Sequence, residues 1–98
     1  MVKHVILWKF KEVEDLYSKK VLIKEGLEGL TGKIAGMREI KVTIDDLETS
    51  NCDAMLEVVF DDFESLKRYA DDPLHVGVAQ SRIRPYIDTR LCFDYEIN

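Results

Sequence analysis

Lys3-His4-Val5-Ile6-Leu7-Trp8-Lys9-Phe10-Lys11 is the stretch whose reading decides the fold. As a strand it places His4, Ile6, Trp8 and Phe10 on one face and Val5 and Leu7 on the other. A strand that is apolar on both faces needs cover on both sides, because either face left in water forgoes its burial free energy. Helices of the same chain can supply one layer. The other layer must come from elsewhere, and a chain of 98 residues has little left to build it. A domain of this size buries only part of its chain surface, and a partner subunit often completes its stability.

From about Val13 to Leu30 the period becomes helical, with Leu16, Ile23, Leu27, Leu30 and Ile34 spaced by seven, four, three and four. Lys19, Lys20, Lys24, Glu25 and Glu28 are expected on its wet side. Gly26 and Gly29 weaken the last turns, and the region of Gly32 and Gly36 ends the helix and turns the chain. Arg38 to Ile44 alternates again, with Ile40, Val42 and Ile44 on one face. After a polar connection from Asp45 to Asn51, Asp53 to Phe60 forms a third strand. Here Ala54, Leu56, Val58 and Phe60 oppose Met55, Glu57 and Val59. Asp61 or Asp62 caps a helix through Phe63, Leu66, Lys67 and Tyr69. Asp72-Pro73 stops it, and Pro73 opens a shorter helix through Gly77 toward Ile83. Thr89 to Glu96 closes the chain as a strand, with Leu91, Phe93 and Tyr95 opposite Arg90, Cys92 and Asp94.

The order β-α-β-β-α-β is that of an α+β, ferredoxin-like protomer, one domain over residues 1–98 with helices on one face of a four-stranded antiparallel sheet. The other face carries Val5, Leu7, Met55, Val59, Leu91, Phe93 and Tyr95, too apolar a patch to leave in water. A homodimer packed sheet to sheet is the expected solution.

Composition removes several function classes. An apolar fraction of 46% argues against disorder, and the apolar runs are too short to span a membrane. Met1-Val2-Lys3-His4 runs straight into the first strand without the apolar core of a signal peptide. The 14 Lys and Arg are dispersed among 19 Asp and Glu, and a net charge of −5 with no basic stripe argues against nucleic acid. Cys52 and Cys92 have no metal-ligand spacing, make no disulfide framework and have no neighbour in sequence that would mark a reactive thiol. A reduced, cytoplasmic protein with no cofactor and no metal is therefore expected. The pairs Asp45-Asp46, Asp61-Asp62 and Asp71-Asp72 read as turns and caps.

Val2 through Phe10, Ile34-Ala35-Gly36-Met37, Phe60 with Phe63-Glu64-Ser65-Leu66, Tyr69, Asp72-Pro73-Leu74-His75 and Cys92-Phe93-Asp94-Tyr95 together resemble the stress-responsive A/B barrel domain (Dabb) family, over essentially the whole chain. The resemblance implies protomers paired into a dimeric α/β barrel. One plant member cyclises a linear polyketide, and its catalytic His and Tyr resemble His75 and Tyr69, with a further pocket His resembling His4. Such chemistry needs a His near neutral pKa to take a proton from an activated carbon and a Tyr hydroxyl to hold the enolate oxygen. Two departures stand out. Asp72 replaces the first His of the family's His-Pro-x-His, and Ile23, Lys24 and Leu27 stand where the cyclase has long aromatic side chains.

The expected pocket is lined by His4, Trp8, Tyr69, His75 and Arg90. Arg90 suits a small carbonyl or carboxylate compound better than an alkyl polyketide. Each residue also has a plain structural reading: His75 pinning a turn, His4 a bonded core histidine, Tyr69 and Trp8 core packing. Two function classes therefore stay open. One is a cofactor-independent proton-transfer enzyme of cyclase, lyase or isomerase type, and the other a non-catalytic dimer acting through protein partners or in stress tolerance. A cofactor-free monooxygenase ranks below both, since sharing a fold is its only support.

Overall fold

Val2–Phe10 (β1) runs through the interior of a four-stranded antiparallel sheet in the computed structural model, which describes residues 1–97. The other elements are α1 (Leu16–Glu28), β2 (Met37–Thr43), β3 (Ala54–Phe60), α2 (Phe63–Asp71), α3 (Pro73–Val78) and β4 (Ile87–Glu96). A π-helical turn over Ala79–Ile83 and a 3-10 turn over Arg84–Tyr86 join α3 to β4. The strands lie in the order β2-β3-β1-β4, so the first strand pairs with both the third and the last. This is the ferredoxin-like arrangement.

The register puts every even-numbered residue of β1 beneath the helices. Val2, His4, Ile6, Trp8 and Phe10 are buried there with Ala54, Leu56, Val58 and Phe60 of β3. Ile23 and Leu27 of α1 and Leu66 and Tyr69 of α2 close over them. Asp62 caps α2, accepting from the Ser65 amide and hydroxyl, each at 2.8 Å. Asp72 ends α2 and caps α3 by accepting from the Leu74 amide at 2.9 Å, with Pro73 at the first helical position. Gly36, at φ +79°, donates no side chain to a contact too close for one: a Cβ there would stand 2.6 Å from Cβ of buried Ser65.

Two expectations need correction. The first helix is shorter than the 13–30 reading, because Asp15 caps it at its start and Gly29 ends it. Lys20 is not on the wet side. It is buried, with Nζ donating to the Ile44 carbonyl at 3.1 Å and to Asp46 at 2.8 Å. Lys24 and Glu28 are only half-exposed, and both bond to the backbone of Val42. The open face carries charged side chains beside the apolar ones. Val5, Leu7, Met55 and Val59 are half-buried on it and Leu91, Phe93 and Tyr95 are exposed, but it is not uniformly apolar. Lys3 pairs with Glu57 at 3.0 Å, and Glu39 and Lys41 line the same hollow.

Candidate functional site

The break between α2 and α3 creates the site. Reversing the chain at Asp72-Pro73 carries His75 back over Tyr69, and the two rings stack with centroids 4.0 Å apart and planes inclined by 29°. Tyr69 is only 2% exposed, tilted on Phe60 at 5.1 Å and edge-on to His4 at 6.1 Å. The buried Tyr69 hydroxyl has no hydrogen-bond partner, and buried His75 Nδ1 makes no well-formed hydrogen bond, although the backbone of Ala70 and Tyr69 lies close enough to favour the ring's protonated form.

These rings form one wall of a cavity of about 530 Å³ between the helices and the sheet. Ile6, Trp8, Leu27, Leu56 and Leu66 give it an apolar lining, while Arg84, Asp88 and Arg90 add charge from the exposed end. His4, Trp8, Tyr69, His75 and Arg90 all border this one cavity. A smaller hollow of about 330 Å³ lies between Leu7, Met55 and the 45–53 loop, with no histidine, tyrosine or arginine around it.

Burial shifts the two rings in opposite directions. Burial pushes the His75 imidazole below the ordinary histidine value of 6.5; the backbone of Ala70 and Tyr69 works against that, and His4 and Arg84 lower it further. His75 is therefore neutral at pH 7. Burial pushes the Tyr69 phenol well above its ordinary 10.0, with Arg90 opposing, so it keeps its proton. A neutral imidazole and a protonated phenol therefore lie stacked on one another.

His4 is engaged differently. Its Nδ1 lies 2.5 Å from Asp94 Oδ1, and since a carboxylate only accepts, Nδ1 carries the proton of that bond. Cys92 Sγ stands 3.8 Å from the same nitrogen and 3.5 Å from Asp94. The sequence offered no neighbour for Cys92, and the fold supplies two. Burial and Asp94 nevertheless raise the thiol's pKa, with Arg90 opposing, so Cys92 is no free thiolate. Asp94 and Cys92 were not among the expected site residues, nor were Arg84 and Asp88. Only the pairing of β1 with β4, which sets His4 opposite Asp94, reveals the first two.

The model of the stress responsive A/B barrel domain matches residues 2–97. The chain belongs to that family. Among solved structures, a dimeric Bacteroides fragilis protein of unknown function and ferredoxin-like fold is 30% identical over 98% of this chain and 95% of its own, with a TM-score of 0.86. A protein of Arabidopsis thaliana is 27% identical over 100% of this chain and 96% of its own, with a TM-score of 0.82. The hydroxynitrile lyase of Passiflora edulis, 18% identical over 99% of this chain and 93% of its own at a TM-score of 0.78, shares the fold. No curated protein matches the sequence. Among the described residues of this A/B barrel domain, no helix is long and apolar enough to cross a membrane.

Proposed function

We propose that this A/B barrel protein binds a small carbonyl or carboxylate compound in the 530 Å³ cavity and moves a proton on it, with His75 as base and Tyr69 as donor to the oxygen. One observation carries the reading: the Tyr69 hydroxyl and His75 Nδ1 are buried without partners, on two stacked rings that border the cavity. A buried polar atom left unpaired costs about 1–3 kcal/mol, and a ligand oxygen offered to the phenol would recover it. Neutral His75 takes the proton from the carbon beside the carbonyl, becoming imidazolium, while the electron pair moves onto the carbonyl oxygen and the Tyr69 hydroxyl donates to it. Returning the proton to a different position completes an isomerisation or a ring closure. Arg84 and Arg90 at the exposed end attract a carboxylate, and Trp8, Ile6 and Leu56 receive a short carbon chain. His4, tied to Asp94, serves as a fixed part of the wall.

The same reading makes the chain a homodimer through Val5, Leu7, Met55, Val59, Leu91, Phe93 and Tyr95. The exposure of Leu91 (58%) and Phe93 (69%) supports it, as do the dimeric relatives. A non-catalytic role would have His4 and Tyr69 bonded internally and the cavity filled. His4 agrees with that alternative; Tyr69 and the cavity volume favour ligand binding.

Acetoacetate and pyruvate, incubated with the protein in deuterium oxide, test the reaction by loss of their carbon-bound proton signals. Exchange faster than buffer, abolished in His75→Ala at an unchanged melting temperature, is expected. His75→Ala that exchanges at the wild-type rate, or that simply unfolds, makes His75 structural.

A further inference from the structure

The cavity chemistry leaves one cluster unused. His4 Nδ1, Cys92 Sγ and Asp94 Oδ1 all lie within 4.8 Å of one another, on adjacent strands and on the helix side of the sheet. We propose that these three side chains hold a zinc-class divalent cation. Thiolate, imidazole and carboxylate together suit Zn²⁺ and disfavour the hard oxygen-seeking Mg²⁺ and Ca²⁺.

The separations support this set. Tetrahedral ligation with bonds of about 2.3 Å to sulfur and about 2.0–2.2 Å to nitrogen and oxygen places S and N, and S and O, roughly 3.6 Å apart. The two sulfur edges here measure 3.8 and 3.5 Å. Only the edge from Nδ1 to Oδ1, closed to 2.5 Å by its hydrogen bond, has to open, to roughly 3.4 Å. The cation takes the place of the shared proton and of the thiol proton.

Access and rigidity also agree. His4 is buried and fixed on an interior strand, whereas Cys92 and Asp94 are exposed on the edge strand, so an ion can approach from solvent. A second copy covering the opposite face of the sheet leaves all three free. Thiolate and carboxylate together balance the charge of the ion, and the Arg90 guanidinium near Cys92 is the neighbouring cation that opposes it. Three protein ligands leave a fourth position for water. His4 is shared with the cavity wall, but the proton-transfer reading needs no metal.

Cobalt(II) added to the full chain under reducing, oxygen-free conditions provides the test. The expected result is a sulfur-to-cobalt absorption in the near ultraviolet that saturates at one ion per chain, is displaced by Zn²⁺ and releases at least one proton. Cys92→Ser abolishes that absorption and weakens binding by more than the about ten-fold that losing an outer partner costs. Asp94→Asn keeps the absorption but binds more weakly. Cys52→Ser, far from the cluster, changes nothing. Absence of the absorption in the wild type, its survival in Cys92→Ser, or its loss in Cys52→Ser overturns the proposal, provided circular dichroism shows each variant folded.

Discussion

Tyr69 and His75 invert the usual cost of a substitution. Removing a bonded core hydroxyl destabilises a protein, but the Tyr69 hydroxyl has no partner to lose. Tyr69→Phe should therefore leave stability within about 1 kcal/mol of wild type, or raise it, in urea unfolding, while slowing proton exchange into substrate. His75 carries a pH signature with a definite sign. Its pKa is lowered on folding, so the unfolded chain binds the proton more readily than the native one. Its contribution to stability is complete above the ordinary value of 6.5 and is lost as the pH falls from there toward the lowered folded value. His75→Gln should flatten that acid slope in a series of melting curves. The exchange rate should fall over the same acid range as the base protonates, and stay level from neutral pH up to about 10, because Tyr69 keeps its proton beyond its ordinary value. His4, Trp8, Tyr69, His75 and Arg90 could be named from strand alternation, helix faces and the family resemblance, and they border one cavity. Asp94 and Cys92 could not. Their meeting with His4 depends on a strand register that joins the two ends of the chain.

Among the elements, α1 does more than cover the sheet. Strand β2 is an edge, and the Val42 amide and carbonyl point outward where another chain could pair with them. Glu28 accepts from that amide at 2.9 Å, and Lys24 donates to that carbonyl. Burial alone would raise the Glu28 pKa, but the bonds from Lys24 and Val42 outweigh it and leave the carboxyl below its usual range. Glu28→Ala should cost about 1–2 kcal/mol in denaturant unfolding and increase aggregation measured by light scattering. Helical periodicity located α1 through Ile23 and Leu27, yet it could not show Lys20 and Lys24 reaching inward. A lysine stem lies along apolar surface wherever its head finds carbonyls, and that depends on where β2 runs. Gly36 is a second position set by neighbours distant in sequence. Gly36→Ala combines a positive φ with overlap on Ser65, and should destabilise by about 2 kcal/mol or more.

For the whole molecule, the sheet's uncovered face divides into an apolar half along β1 and β4 and a charged half around Lys3, Glu39, Lys41 and Glu57. An apolar half to bury and a charged half to set register would suit the proposed self-complementary contact. Phe93→Glu should convert a dimer into a monomer in analytical ultracentrifugation and lower the melting temperature, whereas a wild-type monomer at micromolar concentration would remove the sheet-to-sheet pairing. Which side chains share a sheet face was legible from alternation, because a period of two assigns every side chain to a face once one is fixed, whereas the topology came from the β-α-β-β-α-β order of elements. The charged half was harder to read, since Lys3 and Glu57 become neighbours only through the β1 and β3 pairing. The proposed proton transfer depends on where a small ligand sits. Intermolecular NMR contacts from the pyruvate methyl test this most directly: contacts to the rings of Tyr69 and His75 are expected, and contacts confined to Leu7, Met55 and the 45–53 loop would contradict the proposed site.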